Sequence, residues 1–472
     1  MTTSFDADTA VGFARELAGR ISGFSFEDLP AAAVYWARMG ILDTIGVTLA
    51  GSREEPALLV EVALNGSTGP ALILGTHRRA GVLDAALING TASHVLDFDD
   101  SNNTMGGHPS APVISALMPL AEQLGSSGSE FVTAYIAGFE VEAKIGLAVN
   151  FHHYTKGWHP TATLGVFGAA AACAKLMRLD VHGTANALAL AASFASGIKA
   201  NFGTMAKPLH IGHCARNGLF AARLAASGFT ANAANVFEHG QGFLDVFNGP
   251  GTYDAARAIS AWANPLDIVE PGIAIKQYPC CGSTHPAVDA MLSLLNDHSV
   301  HPDEVERVDA AIHGRRLNHT NRPDPQSRLD AKFSLQYVLS RALLERRVSL
   351  AHFEGDAFLD PRVRAMLPRI HVSAYDLSGV GGFPAENHFG GFVSLTLRNG
   401  EVLTAQVDQP LGRTSANPLP VDRLNEKFRL CAQRVVSEES IEAIINMVER
   451  IETLSAITEV TQLIDSATIE RG

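Results

Sequence analysis

The clearest strand signal in this chain is FVSLTLRNGEVLTAQV, residues 392–407, in which two alternating stretches flank an Asn-Gly pair. Apolar and polar side chains alternate on both sides of the pair, as they do on a strand with one buried face. Asn-Gly favours the left-handed conformations of a two-residue type I′ turn, so the stretch predicts a β-hairpin. Weaker alternation at residues 304–312 and 369–375 predicts further strands.

Outward from this hairpin the sequence is helical in both directions. Up to about residue 268, apolar residues recur at every third or fourth position and Ala is abundant, which is typical of packed helices. The helical period returns after NPLP, residues 417–420. We therefore predict a mostly α protein, with a large all-helical domain built from both chain ends and an inserted, smaller α+β domain. The predicted boundaries are 1–268 and 405–472 for the helical domain and 269–404 for the α+β domain.

The composition limits the kinds of partner. The 472-residue chain has a net charge of −13, which disfavours nucleic acid and anionic membranes because phosphate binding requires a basic face. Its five cysteines include no CxxC pair, which fits free thiols in a reducing compartment such as the cytoplasm. The N-terminus has no basic region before an apolar run, so we expect no signal peptide. The apolar stretch at residues 160–174 is too short to span a bilayer.

Four short segments hold an unusual density of polar side chains. The first is DFDDS, residues 97–101, followed by GGHPS, residues 106–110. Its carboxylates can hold a His or a substrate hydroxyl, and His108 can act as an acid or a base. The alternative interpretation is an Asp-rich helix cap followed by a solvated turn.

The second and third segments each place one basic group beside small residues. In GWHPTAT, residues 157–163, His159 precedes an Ala- and Gly-rich helix whose first N–H groups favour an anion; alternatively it is a buried His that caps the helix. In NFGTMAKPLH, residues 201–210, Lys207 is the sole cation. Such a Lys either faces a cleft and pairs with an anion, or extends to solvent from the surface.

The fourth segment, KQYPCCGSTHP at residues 276–286, falls at the predicted domain boundary, where clefts tend to form. Its Cys pair and His285 allow a nucleophile with its base or a soft metal site, although small buried thiols that shape a pocket are the simpler interpretation. The sequence has no GxGxxG motif after a strand, no GxxxxGK[ST], no GxSxG and no HExxH, so it gives no support to nucleotide-dependent, α/β-hydrolase or zinc-protease chemistry.

Taken together, these segments resemble the MmgE/PrpD family, which includes 2-methylcitrate dehydratase, cis-aconitate decarboxylase and iminodisuccinate epimerase. The resemblance covers most of the chain and extends to RMGILDTIGVTLAG (residues 38–51), AKFSLQYV (331–338) and NPLP. It implies a large helical domain, an inserted α+β lid, a cleft between them, and a homodimer. We expect a small anionic carboxylate substrate and neither a metal nor another cofactor.

The resemblance also assigns catalytic roles. Asp97 is expected to orient a His or bind a substrate hydroxyl. Ser101, which stands where decarboxylase-like members have Thr, is expected to bind substrate. His108 and His159 are the expected acid and base. Tyr337 matches an aromatic position of the family and is expected to donate a proton or a hydrogen bond.

The remaining expected residues bind substrate. Lys207 and Lys276 are expected to neutralise carboxylates as charge develops at the neighbouring carbon. Cys281 stands where decarboxylase-like members have a His, and His285 follows it. A thiol of ordinary pKa does not replace imidazole as a proton donor near neutral pH, so this difference argues against decarboxylation.

The expected function is therefore a cofactor-independent, dehydratase-like lyase that moves a proton at a carbon next to a carboxylate of a di- or tricarboxylate. The alternatives are an epimerase of an iminodisuccinate-like amino or hydroxy polyacid, a cis-aconitate-type decarboxylase, and a non-catalytic protein that binds carboxylates.

Overall fold

The computed structural model describes residues 12–384 and 386–469, which divide into two compact units. Unit 1 is formed by the described residues up to Ile275, by Thr414–Ala416, and by the described residues from Pro420 onward. Unit 2 is formed by Lys276–Arg413 and Asn417–Leu419. The chain enters unit 2 at 275/276 and returns to unit 1 between 413/414 and 419/420, in both cases after the predicted boundaries at 268/269 and 404/405.

Unit 1 is built almost entirely of helices. Its helices are α1 Phe13–Ser22, α2 Ala31–Gly51, α3 Glu55–Ala63, α4 Val82–Val95, α5 Ser110–Leu124, α6 Gly128–Val149, α7 His152–Lys156, α8 Pro160–Thr163, α9 Gly165–Leu176, α10 Val181–Phe194, α11 Ala206–Ala226 and α12 Ala255–Ser260. Unit 1 differs from the predicted all-helical domain in one short antiparallel pair of two-residue strands, β1 Ala71–Leu72 and β2 Arg79–Ala80. Helix α2 is mostly apolar and is buried from Met39 to Gly51, as expected for a helix inside a large core.

Glycine allows a very close helix contact in unit 1, between α4 and α11. A Cβ atom on Gly212 would lie 2.1 Å from the carbonyl oxygen of Leu87, and one on Gly90 would lie 2.7 Å from Cα of Gly212. The two backbones therefore touch, and a larger side chain at either glycine would force the helices apart. This contact holds the C-terminal end of α4 beside the N-terminal half of α11.

Unit 2 contains a four-stranded sheet covered by helices. The strands are β3 Val305–Ile312, β4 Ile370–Ala374, β5 Gly391–Leu397 and β6 Val402–Val407, in the order β4-β3-β5-β6. β3 is parallel to β4 and antiparallel to β5, and β5 is antiparallel to β6. The helices are α13 His285–Asp297, α14 Gly314–Thr320, α15 Arg328–Ala331, α16 Leu335–Glu345, α17 Pro361–Met366 and α18 Tyr375–Ser378.

The predicted hairpin is the β5–β6 pair, in which Leu395 lies opposite Leu403. The expected type I′ turn is wrong. Such a turn needs a positive φ at both Asn399 and Gly400, and only Gly400 has one, 89°. Gly400 N–H donates to the carbonyl oxygen of Leu397 (2.9 Å), and Leu397 N–H donates to that of Glu401 (2.8 Å). The connection is a tight turn followed by one left-handed glycine, the other common hairpin geometry.

The chain returns to unit 1 with α19 Val421–Ala432, α20 Glu438–Val448 and α21 Thr458–Ala467. Lys427 of α19 is buried, and its Nζ lies 2.6 Å from Oδ1 of Asp43 on α2. It also donates to the carbonyl oxygen of Phe98 over 2.7 Å. Both chain ends therefore build the helical unit, which confirms the predicted fold class. Across residues 12–384 and 386–469, no helix combines the length and the apolar character that a bilayer crossing requires.

Candidate active site in the helical unit

The first polar segment begins where α4 ends. Asp97 has a φ of 51°, a left-handed conformation, and its N–H donates to the carbonyl oxygen of His94 over 3.0 Å. This reversal stops the helix and turns the following carboxylates inward, so that Asp99 and Asp100 are fully buried. The alternative of a solvated acidic turn is therefore wrong for these side chains.

Backbone contacts hold the rest of this loop in place. Ser101 and Ala274 exchange backbone hydrogen bonds of 2.8 and 2.7 Å. Gly107 packs against the GWHPTAT segment, since a Cβ atom there would lie 2.8 Å from the backbone nitrogen of Thr161. The neighbouring His108 N–H donates to Oγ1 of Thr161 over 3.1 Å. The first and second segments thus meet through backbone contact.

Asp99 joins two imidazoles inside unit 1. Its Oδ2 lies 2.7 Å from Nδ1 of His94 and 3.3 Å from Nδ1 of His108. Nδ1 of His108 also lies 2.7 Å from the carbonyl oxygen of Asp100. A carbonyl oxygen only accepts hydrogen bonds, so His108 carries its proton on Nδ1 and its Nε2 is a base when the ring is neutral.

Lys207, at the start of α11, forms a buried ion pair with the first segment. Its Nζ lies 2.7 Å from Oδ1 of Asp97, and both side chains are buried. The ammonium also lies 5.3 Å from the ring centre of Phe202. Lys207 is therefore an internal cation paired with an anion, and the alternative of a surface Lys that extends into solvent is wrong.

His159 lies against the same group of side chains. Its ring centre is 5.8 Å from that of His94, and its Nδ1 is 3.2 Å from Nδ1 of His210 on α11. The ring of Phe202 packs edge-on against it at 4.8 Å. His159 is the buried N-cap residue of α8, as the alternative interpretation expected, but its side chain makes no capping hydrogen bond. We call His94, His108, His159 and His210 the imidazole cluster.

Burial keeps His94, His159 and His210 neutral. Burial lowers the pKa of His159 well below its usual value, and the neighbouring His94 and Lys207 lower it further. Burial also lowers the pKa of His94, against the opposing effect of the Asp99 carboxylate. The pKa of His210 falls to about 4, again chiefly through burial. The resting site thus contains three neutral imidazoles next to the Lys207–Asp97 ion pair, and an anion bound there would favour their charged forms.

Two imidazoles of the cluster and two neighbouring carboxylates have the donor types of a metal site. His94, Asp97, Asp99 and His108 each offer one ligand atom, and these atoms lie within 4.8 Å of one another. The Lys207 ammonium, however, already supplies positive charge to Asp97, and Asp99 already accepts from two imidazoles. Asp97 and Asp99 thus already have positively charged or N–H partners within unit 1.

Three of the expected substrate-binding residues lie in unit 2. Lys276 and His285 are buried, whereas Cys281 is partly exposed. Nε2 of His285 lies 3.3 Å from the carbonyl oxygen of Cys280, and its ring packs edge-on against Tyr278 with centres 5.0 Å apart. These contacts fix the His285 ring at the start of α13. The roles expected for Lys276, Cys281 and His285 stay predictions.

Tyr337 also lies in unit 2, inside its hydrophobic core. Its hydroxyl donates to the carbonyl oxygen of His352 and accepts from Nε of Arg341 at 3.1 Å. Arg341 in turn contacts Glu345 at 2.7 Å, and Glu345 contacts Nε2 of His352 at 3.0 Å. We call these four residues the Tyr337 network. Because the hydroxyl is committed to this network, we leave Tyr337 out of the proposed chemistry.

Sequence reasoning missed three members of the site: His94, Asp99 as a shared acceptor, and His210. Two of them had a readable signal. His94 comes three residues before Asp97 in the chain, and His210 comes one turn after Lys207 on α11, so each is close to a residue already singled out.

Two family models match most of the chain. The MmgE/PrpD N-terminal domain matches residues 15–256, and the MmgE/PrpD C-terminal domain matches residues 278–453. The chain belongs to the MmgE/PrpD family and is an enzyme.

Named relatives match along most of their length. Cis-aconitate decarboxylase of Homo sapiens is 32% identical over 80% of this chain and 79% of its own. The Mus musculus protein of that name is 28% identical over 96% of this chain and 93% of its own. That of Aspergillus terreus is 26% identical over 98% of both chains. The relatives are therefore lyases, which supports the lyase class for this chain.

Proposed function

We propose that this enzyme is a lyase that decarboxylates cis-aconitate or a closely similar unsaturated tricarboxylate. The observation that carries the proposal is the buried Lys207–Asp97 pair, at 2.7 Å, set among neutral imidazoles. An ammonium that is already dehydrated binds a substrate carboxylate strongly, because the low local dielectric strengthens the attraction. The names of the relatives point to the same substrate.

The reaction makes two demands that these residues meet. The bond to one carboxylate breaks and its electron pair forms a new C=C bond, while the old double bond takes up a proton at its far carbon. CO₂ leaves, and each turnover consumes one proton. Lys207 binds a carboxylate that stays on the product, and His159 donates the proton.

A substrate with three carboxylates would also prepare His159 for this step. The negative charge of the substrate favours the imidazolium form of His159. Binding therefore raises the pKa of His159, which burial lowers in the empty site. His159 is therefore neutral before binding and becomes an acid when substrate is present. His108, with its proton on Nδ1, places a basic Nε2 in the same cluster.

One observation favours a second candidate. By the family resemblance, Cys281 stands where decarboxylase-like members have a His, which favours epimerisation of an iminodisuccinate-like polyacid or the dehydration of a hydroxy acid. Both reactions also require proton transfer next to a carboxylate, so the same cluster serves them.

Proton NMR in D₂O separates the candidates. The enzyme is incubated in turn with cis-aconitate, a hydroxy tricarboxylate and an amino dicarboxylate. Decarboxylation gives a terminal =CH₂ signal and CO₂, and dehydration gives an alkene from the hydroxy acid. Epimerisation gives deuterium exchange without an alkene. We expect decarboxylation by the wild-type enzyme and loss of this activity in Lys207→Ala. Lys156→Ala, which removes an exposed lysine, should keep normal activity. Binding without turnover or exchange would indicate a carboxylate-binding protein.

We further propose that the enzyme is a homodimer in the cytoplasm. The dimer is supported by the family resemblance, and the compartment by the five cysteines, all of which are free. Light scattering after size exclusion tests the dimer, since a mass near 50 kDa rather than twice that value would contradict it.

A further inference from the structure

The proposed proton donor has almost no access to solvent of its own. His159 is 2% exposed, yet decarboxylation removes one proton from it in every turnover. A bound substrate would cover what exposure remains. The enzyme therefore needs a second group that returns a proton to His159 between turnovers.

His210 is positioned for this task. Its Nδ1 lies 3.2 Å from Nδ1 of His159, so one ring donates and the other accepts in a direct hydrogen bond. Unlike His159, His210 is partly exposed, and His213, one turn later on α11, is exposed. The three imidazoles thus form a graded series from the buried site to the surface.

We propose that His210 is the relay that carries protons from solvent to His159, an inference that rests on the proposed function. His210 takes a solvent proton at Nε2 and passes its Nδ1 proton to Nδ1 of His159. His159 then gives its Nε2 proton to the substrate carbon. One proton enters and one leaves in each cycle, and ring rotation returns both imidazoles to their starting tautomers.

The surroundings of His210 fit a transient carrier. Burial keeps its pKa at about 4, and His94, Lys207 and His213 all act in the same direction, so a proton is passed on rather than retained. A purely structural partner would need only to hold the orientation of His159. The two roles predict different results when the imidazole is replaced by an amide.

The experiment compares His210→Ala and His210→Asn with wild type and with His182→Ala. Asn can still hydrogen-bond to His159 near the position of the lost Nδ1 but cannot carry a proton through. His182 is a matched control, since its imidazole contacts Asn186 on α10 and lies outside the cluster. For each protein, kcat, KM and the solvent deuterium isotope effect are measured on cis-aconitate with and without added 4-methylimidazole.

We expect both His210 variants to lose at least about tenfold in kcat with little change in KM, as for loss of one proton-transfer group. Their isotope effects should rise, and 4-methylimidazole should restore part of kcat in the Ala variant. His182→Ala should match wild type. Normal kcat in His210→Asn, or a loss in both variants that is not rescued and shows no larger isotope effect, would overturn the relay.

Failure of the proposed function gives a different result. If wild type does not decarboxylate cis-aconitate but turns over another polycarboxylate, the substrate assignment is wrong and the same variants are measured on that substrate. Normal kcat in the His210 variants there would refute the relay as well.

Discussion

The imidazole cluster of unit 1 and the Tyr337 network of unit 2 are both buried groups of polar side chains, but they differ in how completely they are satisfied. In the Tyr337 network, Arg341 donates to Tyr337, Glu345 and Asp360, and Glu345 also contacts His352. In the imidazole cluster, the buried Nε2 of His94 has no hydrogen-bond partner in the described part of the chain.

Unsatisfied hydrogen-bonding groups therefore indicate a binding site better than burial alone does. A closed network fixes the positions of its members and has no capacity left for a ligand. An open one retains polar atoms whose desolvation is uncompensated until something binds, and such atoms call for an explanation in a native protein. Substitutions in the imidazole cluster should therefore lower activity, whereas substitutions in the Tyr337 network should lower stability.

The largest effect is expected from His159→Gln. Loss of the proton donor should lower kcat by about 10²–10⁴-fold, because that is the usual contribution of general acid catalysis. The matched change in the other region, His352→Gln, should lower the melting temperature and leave kcat unchanged. Kinetics and thermal melts of both variants test this; a similar loss of activity in both would remove the distinction.

Asp99→Asn is expected to have the next largest effect. The carboxylate fixes two imidazoles at once, and an amide cannot accept equally well from both or stabilise either as a cation. We expect kcat to fall by roughly ten- to a hundredfold, as when the partner that orients a functional His is removed. The pH–rate profile should shift as well; an unchanged profile would leave Asp99 with a structural role only.

A stability effect without loss of activity is expected from Tyr337→Phe. The change removes the hydroxyl that accepts from Arg341, so a buried donor loses a partner at a cost of about 1–3 kcal/mol. Denaturant unfolding should show this loss while kcat stays at the wild-type value. A large fall in kcat would instead restore Tyr337 as a proton donor.

The smallest effect concerns Glu142 on α6, a fully buried residue whose two carboxyl oxygens have no hydrogen-bond partner in the described chain. Burial raises its pKa well above 4.5, and the nearby Asp100 raises it further. The folded state therefore holds a proton that the unfolded chain releases, so stability falls as pH rises above about 4.5. In thermal melts from pH 5 to 8, the melting temperature of Glu142→Gln should fall less with pH than that of wild type. An equal fall in both proteins would contradict a buried, protonated Glu142.

Much of this architecture could be predicted from the sequence, because it depends on local patterns. The 392–407 alternation located a real hairpin, and the return of helical spacing after residue 420 identified the discontinuous helical unit. The turn type could not be predicted, since Asn-Gly is compatible with more than one hairpin turn and the flanking strands decide between them.

The candidate site was predicted in part. His108, His159 and Lys207 were found because each stands in a short segment rich in small residues, and the structure brings all three into one cluster. Tyr337 was assigned by resemblance alone, and sequence could not show that Arg341 and His352 occupy its hydroxyl. The pairing of His210 with His159 could not be predicted, because the two residues are fifty-one positions apart in the chain.

The discontinuity of unit 1 has a consequence for synthesis. Lys427, which donates to the carbonyl of Phe98 inside the DFDDS loop, leaves the ribosome after all of unit 2. At elongation rates of about 5–20 residues per second, the nascent helices wait roughly ten to thirty seconds for the piece that completes their core. During this interval apolar helix faces are open to solvent, so the growing chain is a natural client for ribosome-associated chaperones.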